Sequence, residues 1–122
     1  MILKDDFYTI TQLTEENNTI QATLKLNPEH PIFEGHFPGQ PVVPGVCMVQ
    51  MIKELLETVT GKTMLLQQSD HIKFLSVIDP RNVLQITIRI MYQNNNGGVN
   101  VTGTILREDI ICLKLKGHFT IL

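Results

Sequence analysis

Cysteine is scarce in this 122-residue sequence: Cys47 and Cys112 are the only two, and each sits inside an apolar run. That placement predicts buried free thiols in a reducing cytosol rather than a disulfide. No cysteine pair and no His-x3-His spacing marks a metal site. No apolar run approaches the ~18 residues that a membrane span needs. The opening Met1-Ile2-Leu3-Lys4-Asp5-Asp6 lacks the basic-then-apolar order of a signal peptide. Charge of one sign is not in excess either. Ten Lys and Arg against twelve Asp and Glu leave −2, which excludes a general nucleic-acid binder. There are no repeats, and low complexity is confined to the run of asparagines at 94–96.

What is present suffices for one core. Hydrophobic residues make up 43% of the chain, as in an ordinary globular protein. The length predicts a single domain over 1–122. Proline and glycine are unevenly spread. Five of the six prolines (28, 31, 38, 41, 44) and three of the eight glycines (35, 39, 45) fall within 28–45. Regular structure is not expected there. A linker would be polar, whereas this segment carries Ile32, Phe33, Phe37, Val42 and Val43. It therefore reads as a rigid loop packed on the core.

A helix is predicted over Val46–Val59, opened by Pro44-Gly45 and stopped by Gly61. Gln50, Lys53, Glu54 and Glu57 share an arc of roughly 100° as a polar stripe. The rest of the circumference is apolar, so the helix must be wrapped. Alternating apolar residues supply the wrapper at 20–26, 84–92, 99–105 and 111–121, with weaker strand signals at Phe7–Leu13 and Met64–Val77. Asn94–Gly98 reads as one hairpin connection and Glu108-Asp109 as a tighter one. The predicted class is α+β, with a curved antiparallel sheet around one helix.

Residues 35–46 carry the chemistry. Gly35-His36-Phe37-Pro38-Gly39-x-Pro41-Val42-x-Pro44-Gly45-Val46 resembles the signature of the 3-hydroxyacyl-ACP dehydratases, whose hot-dog fold wraps a curved sheet around a central helix. The stretch Asp70–Phe74 is also similar, although the family continues with a Pro-Gly-Asp turn where this chain has Asp79-Pro80-Arg81-Asn82. The resemblance implies a lyase that converts a 3-hydroxyacyl thioester on acyl carrier protein to a trans-2-enoyl thioester, in fatty-acid or related lipid or polyene synthesis. It implies a cytoplasmic homodimer or higher oligomer, with the site at the dimer interface. No cofactor is expected, because the chemistry is proton transfer beside a thioester.

Each residue's role follows from that reaction. The weakly acidic C2 proton needs a close base and a stabilised enolate oxygen. His36 is the candidate base, since a neutral imidazole titrates near working pH. Gly45, at the mouth of the helix, is the candidate thioester anchor, where free backbone N–H groups and the helix dipole favour negative charge. Phe37, Pro44 and Val46 are expected to line the substrate site beside it.

The pattern then departs from the family. An acid belongs on the helix fourteen residues after the histidine, and that position is Gln50. A carboxamide has no titratable proton to give a leaving hydroxyl, though it can hydrogen-bond it. The family often places glutamine one turn further on, where this chain has Glu54. The i and i+4 positions share a helix face, so Glu54 is expected to supply the missing proton, directly or through Gln50 or a water. Lys53, Lys73, Arg81 and Arg89 are candidate contacts for an acidic carrier protein. Two other functions fit the sequence less closely. One is a catalytically weakened subunit that binds acyl chains or partners an active dehydratase, and the other is an acyl thioesterase.

Overall fold

A computed structural model describes residues 2–122. The period-2 runs form six strands: β1 (Tyr8–Glu16), β2 (Thr19–Leu26), β3 (Met64–Phe74), β4 (Gln85–Asn95), β5 (Gly98–Arg107) and β6 (Ile110–Ile121). On β2 the alternation is strict: Ile20, Ala22, Leu24 and Leu26 are buried while Gln21 and Lys25 are exposed. The strands make one sheet in the order β1-β2-β4-β5-β6-β3, and every pairing is antiparallel. β1 and β3 are left as its edges.

The turns explain where the strands stop. β4 and β5 run closer together than the expected five-residue connection, leaving only Asn96 and Gly97, both at positive φ (46° and 78°). An Asn-Gly pair favours such a turn because its twist matches that of the strands. Asn17 and Asn18, with φ of 52° and 58°, do the same between β1 and β2. That pair carries β1 to Glu16, beyond the expected Leu13.

The long helix, α2, spans Gly45–Thr60 and lies in the concave face of the sheet. Pro44 caps its start, and its carbonyl accepts the N–H groups of Cys47 and Met48 at 3.0 and 3.1 Å. Gly61 ends it in the left-handed region at φ 71°. Cys47, Met48, Met51, Ile52, Leu55 and Leu56 are buried against the strands. Cys47 and Cys112 are buried and unbridged. The result is the expected hot-dog arrangement. The loop before α2 differs in one respect, since Ile32–Gly35 winds into a single turn, α1. Pro31 at its cap has φ −56°, which is already helical, and residues 32–35 hold no proline. No helix among the described residues is long and apolar enough to cross a membrane.

Candidate active site

The loop after α1 is held by its own backbone. Phe37 and Gln40 exchange two N–H···O bonds, each 2.9 Å, and Val42 N–H closes onto His36 C=O at 2.9 Å. Val43 N–H bonds Ile78 C=O at 2.9 Å, tying the loop to the segment before β4. Arg81 adds a brace, reaching Gly39 C=O at 3.3 Å while Asp79 holds its guanidinium at 2.8 Å. Those hydrogen bonds keep the Asp79 carboxyl below the usual range. His36 is therefore carried, half-buried, on a stiff turn whose other residues are exposed, its ring 4.2 Å from that of Phe37. The described residues offer its ring no hydrogen-bond partner.

Two grooves open beside the mouth of α2. One, about 430 Å³, is lined by His36, Val42, Val43, Gly45, Met48 and the Phe74–Val77 segment. The other, about 320 Å³, is lined by Gly45, Val46, Val49, Gln50, Lys53, Leu65, Leu66, Phe74 and Phe119. They meet at Gly45 and Phe74. A Cβ on residue 45 would lie 2.7 Å from Cζ of the Phe74 ring, so glycine lets that ring approach the helix mouth closely, and a larger residue would displace it. Gly45 and Val46 open the helix, and their N–H groups have no acceptor one turn back. Within the chain, then, His36 shares a groove with the helix mouth, whereas Gln50 lines the neighbouring groove.

Glu54 behaves unlike the rest of the expected polar stripe. It is 0% exposed. Its Oε2 accepts the N–H groups of Ile2 and Leu3 at 3.2 and 3.0 Å and the Gln50 amide Nε2 at 2.7 Å. Its Oε1 accepts the N–H of Lys4 at 2.8 Å and the Tyr8 hydroxyl at 2.9 Å. Burial pushes the carboxyl up, but the donors from Gln50, Leu3, Tyr8 and Lys4 outweigh it and hold the group below the usual carboxylate range. The same charge, after burial itself, pushes the Tyr8 phenol far above its ordinary value and contributes to a raised Cys47 thiol. Glu54, expected to supply a proton directly or through Gln50 or a water, lines neither groove. Its oxygens are taken up by the N-terminal segment, Tyr8 and Gln50, and of these partners only Gln50 lines one of the two grooves.

Of the residues expected to line the substrate site, Phe37 is 55% exposed, packs against His36 with the rings tilted by 56°, and lines neither groove. Pro44 is buried as the cap of α2 and also lines neither. Val46, 77% exposed, does line the Gln50 groove. Phe74, 57% exposed, is the side chain that sequence reasoning missed. Its signal was present, as the last residue of the alternating run from Asp70. Of the candidate carrier contacts, Lys53 lines the Gln50 groove and Arg81 braces the loop. Lys73 and Arg89 lie on the outer face of the sheet. There Lys73 pairs across strands with Lys114, and His71 pairs with Lys116. Thr104 links Lys114 to Arg89 in the same row. Among the described residues none of these four cations has an ion-pair partner.

Comparison with known proteins gives the family and the fold. A family model described as ApeI-like, ApeI dehydratase, matches residues 12–109. The 3-hydroxyacyl-[acyl-carrier-protein] dehydratase FabZ of Lactobacillus helveticus is 32% identical over 101 residues, covering 77% of this chain and 68% of that protein. The FabZ dehydratase of Pediococcus pentosaceus is 29% identical over 105 residues, covering 80% and 70%. Among solved structures, a chain of the dehydratase heterocomplex ApeI:P from Xenorhabdus doucetiae superposes with a TM-score of 0.74 at 18% identity, over 92% of this chain and 96% of that one.

Proposed function

The chain belongs to the ApeI-like dehydratase family, and from that premise we propose that it dehydrates a 3-hydroxyacyl thioester carried on the phosphopantetheine arm of acyl carrier protein. The product is the trans-2-enoyl thioester, formed in fatty-acid or related lipid or polyene synthesis in the cytoplasm. The observation that carries this reading is the shared groove of His36 and Gly45. A thioester carbonyl laid at the mouth of α2 meets free N–H groups and the positive end of the helix dipole. Those donors stabilise negative charge on the carbonyl oxygen as His36 takes the C2 proton. The C2 electrons form the C2=C3 double bond, the C3–O bond breaks, and the hydroxyl leaves as water with the proton that His36 took from C2, which returns the imidazole to its neutral form. Gln50 hydrogen-bonds that hydroxyl. The reaction calls for no redox or metal cofactor.

A homodimer completes the site in this reading. β3 is a free edge, and Leu65, Phe74, Leu75 and Val77 stand exposed on or just after it, with Val46 exposed on α2. A second copy paired along this edge covers that apolar surface and sets the His36 groove of one protomer against the Gln50 groove of the other. The unpaired row of Lys73, Lys114 and Arg89, with Lys116 beside it, supports an acidic carrier as partner.

One observation favours a second reading. With Gln50 in the acid position and Glu54 engaged elsewhere, the chain brings no proton donor of its own on the helix. It would then act as a subunit whose partner dehydratase supplies the acid. The test is turnover of a 3-hydroxyacyl-carrier thioester by the purified chain alone. Enoyl product supports the first reading. Product formed only after an acid-bearing dehydratase chain is added supports the second. Release of free thiol without enoyl product makes the chain a thioesterase and overturns both.

A further inference from the structure

We propose that Glu54 is a positioning residue: it fixes the side-chain amide of Gln50 so that the amide oxygen faces the groove and accepts a hydrogen bond from the substrate hydroxyl. The proposal rests on the dehydratase reading for its substrate, and on the geometry alone for the orientation of Gln50.

The polarity follows from what each group can do. An ionised carboxylate only accepts hydrogen bonds, whereas a carboxamide has one end that donates and one that accepts. Gln50 Nε2 lies 2.7 Å from Glu54 Oε2. Turning the amide over would set two acceptor oxygens at that distance, with no proton between them. Glu54 cannot relax to permit it. The backbone N–H groups of Ile2, Leu3 and Lys4 and the Tyr8 hydroxyl hold its two oxygens, and it sits one helical turn from Gln50. The Gln50 oxygen is left on the other side. The described residues supply it with no donor, and Gln50 lines the groove with Gly45, Val49 and Lys53.

A helix acid at position 50 would give a proton to the leaving oxygen. The amide oxygen in its place receives the substrate's own hydroxyl hydrogen. Position 50 therefore binds and orients the hydroxyl without protonating it. This gives the i, i+4 exchange of acid and amide a chemical meaning. The acid has become the inner member that sets orientation, and the amide the outer member that meets substrate.

The test has a spectroscopic arm and a kinetic one. In the side-chain amide NMR spectrum of the wild-type protein, one Gln50 proton is expected well downfield. Its solvent exchange should be at least about tenfold slower than for exposed Gln21 and Gln85, because it is bonded to a carboxylate. Glu54→Gln should abolish both features, and the wild-type spectrum decides the matter even if that variant does not fold. A Gln50 amide that exchanges like Gln21 overturns the orientation. In the kinetic arm, Gln50→Met keeps the length and removes the acceptor. KM for the 3-hydroxyacyl thioester should rise about five- to tenfold. KM for the enoyl thioester in the hydration direction, a substrate with no hydroxyl, should stay within about twofold. An equal rise for both substrates overturns the assignment of the hydroxyl to Gln50. A wild-type chain that turns over neither substrate defeats the dehydratase reading, while the NMR result still decides the orientation.

Discussion

His36 and Glu54 are two ionisable groups near the helix mouth whose surroundings are opposites. His36 stands on a stiff turn at the wall of a groove, and its ring has no hydrogen-bond partner among the described residues. Glu54 is sealed inside with five donors on two oxygens. A group that must take up and release a proton in each cycle needs an open position. A group that must hold neighbours still needs a saturated one. The fold makes the first position from a proline-flanked loop, where the backbone is rigid and the side chain free. It makes the second on a helix packed against residues from the far end of the chain.

Four measurements break or sharpen that contrast. The largest effect is expected at His36. His36→Ala should lower kcat/KM by about 10²–10⁴-fold while leaving the melting temperature almost unchanged, since the ring supports nothing. A large fall in melting temperature would place His36 in the structural class with Glu54. Next comes Glu54→Ala, which leaves three backbone N–H groups and the Tyr8 hydroxyl without an acceptor. It should cost about 3–5 kcal/mol in urea unfolding. A loss below about 1 kcal/mol would mean that water replaces the carboxylate freely.

The third measurement concerns pH. The native Glu54 carboxyl is held below its ordinary value, so the stability it contributes is complete above the ordinary carboxylate value near ~4.3. That stability is lost as pH falls through the depressed native value. Wild-type stability should drop over that acid interval, and Glu54→Gln should flatten the drop. Parallel curves would show that other carboxylates govern acid unfolding. The smallest overall effect is expected at Gly45. Gly45→Ala brings a methyl to 2.7 Å from the Phe74 ring, but that ring is exposed and can swing aside. Stability should change by less than ~1 kcal/mol. Turnover should fall several-fold, because the displaced ring enters one of the two grooves. Full activity in Gly45→Ala would show that the contact is incidental.

Much of this was legible in the sequence. Period-2 alternation located four of the strands closely, and the Pro/Gly loop with Gly61 bounded the long helix to within a residue or two. His36 and Gly45 stood out because they belong to one contiguous motif, residues 35–46, that resembles the dehydratase signature. The environment of Glu54 was not legible. At helical spacing it belongs to a polar stripe with Gln50, Lys53 and Glu57, and nothing within a few positions signals burial. Its donors lie 46 to 52 residues away in sequence, apart from Gln50, and three of them are backbone amides, which carry no residue signature. Phe37 was less legible for a related reason. An aromatic inside the motif suggests a wall of the site, whereas its ring stands 55% exposed beside His36 and outside both grooves.

The attachment of Ile2, Leu3 and Lys4 to Glu54 makes the leading segment a remote adjustment screw for the groove. Those residues act through main-chain N–H groups, so ordinary side-chain replacements there leave the attachment intact, whereas proline at position 3 or 4 deletes one ligand of the carboxylate. A proline scan of that short stretch would retune Gln50 from outside the catalytic sequence, without altering a single residue that lines either groove.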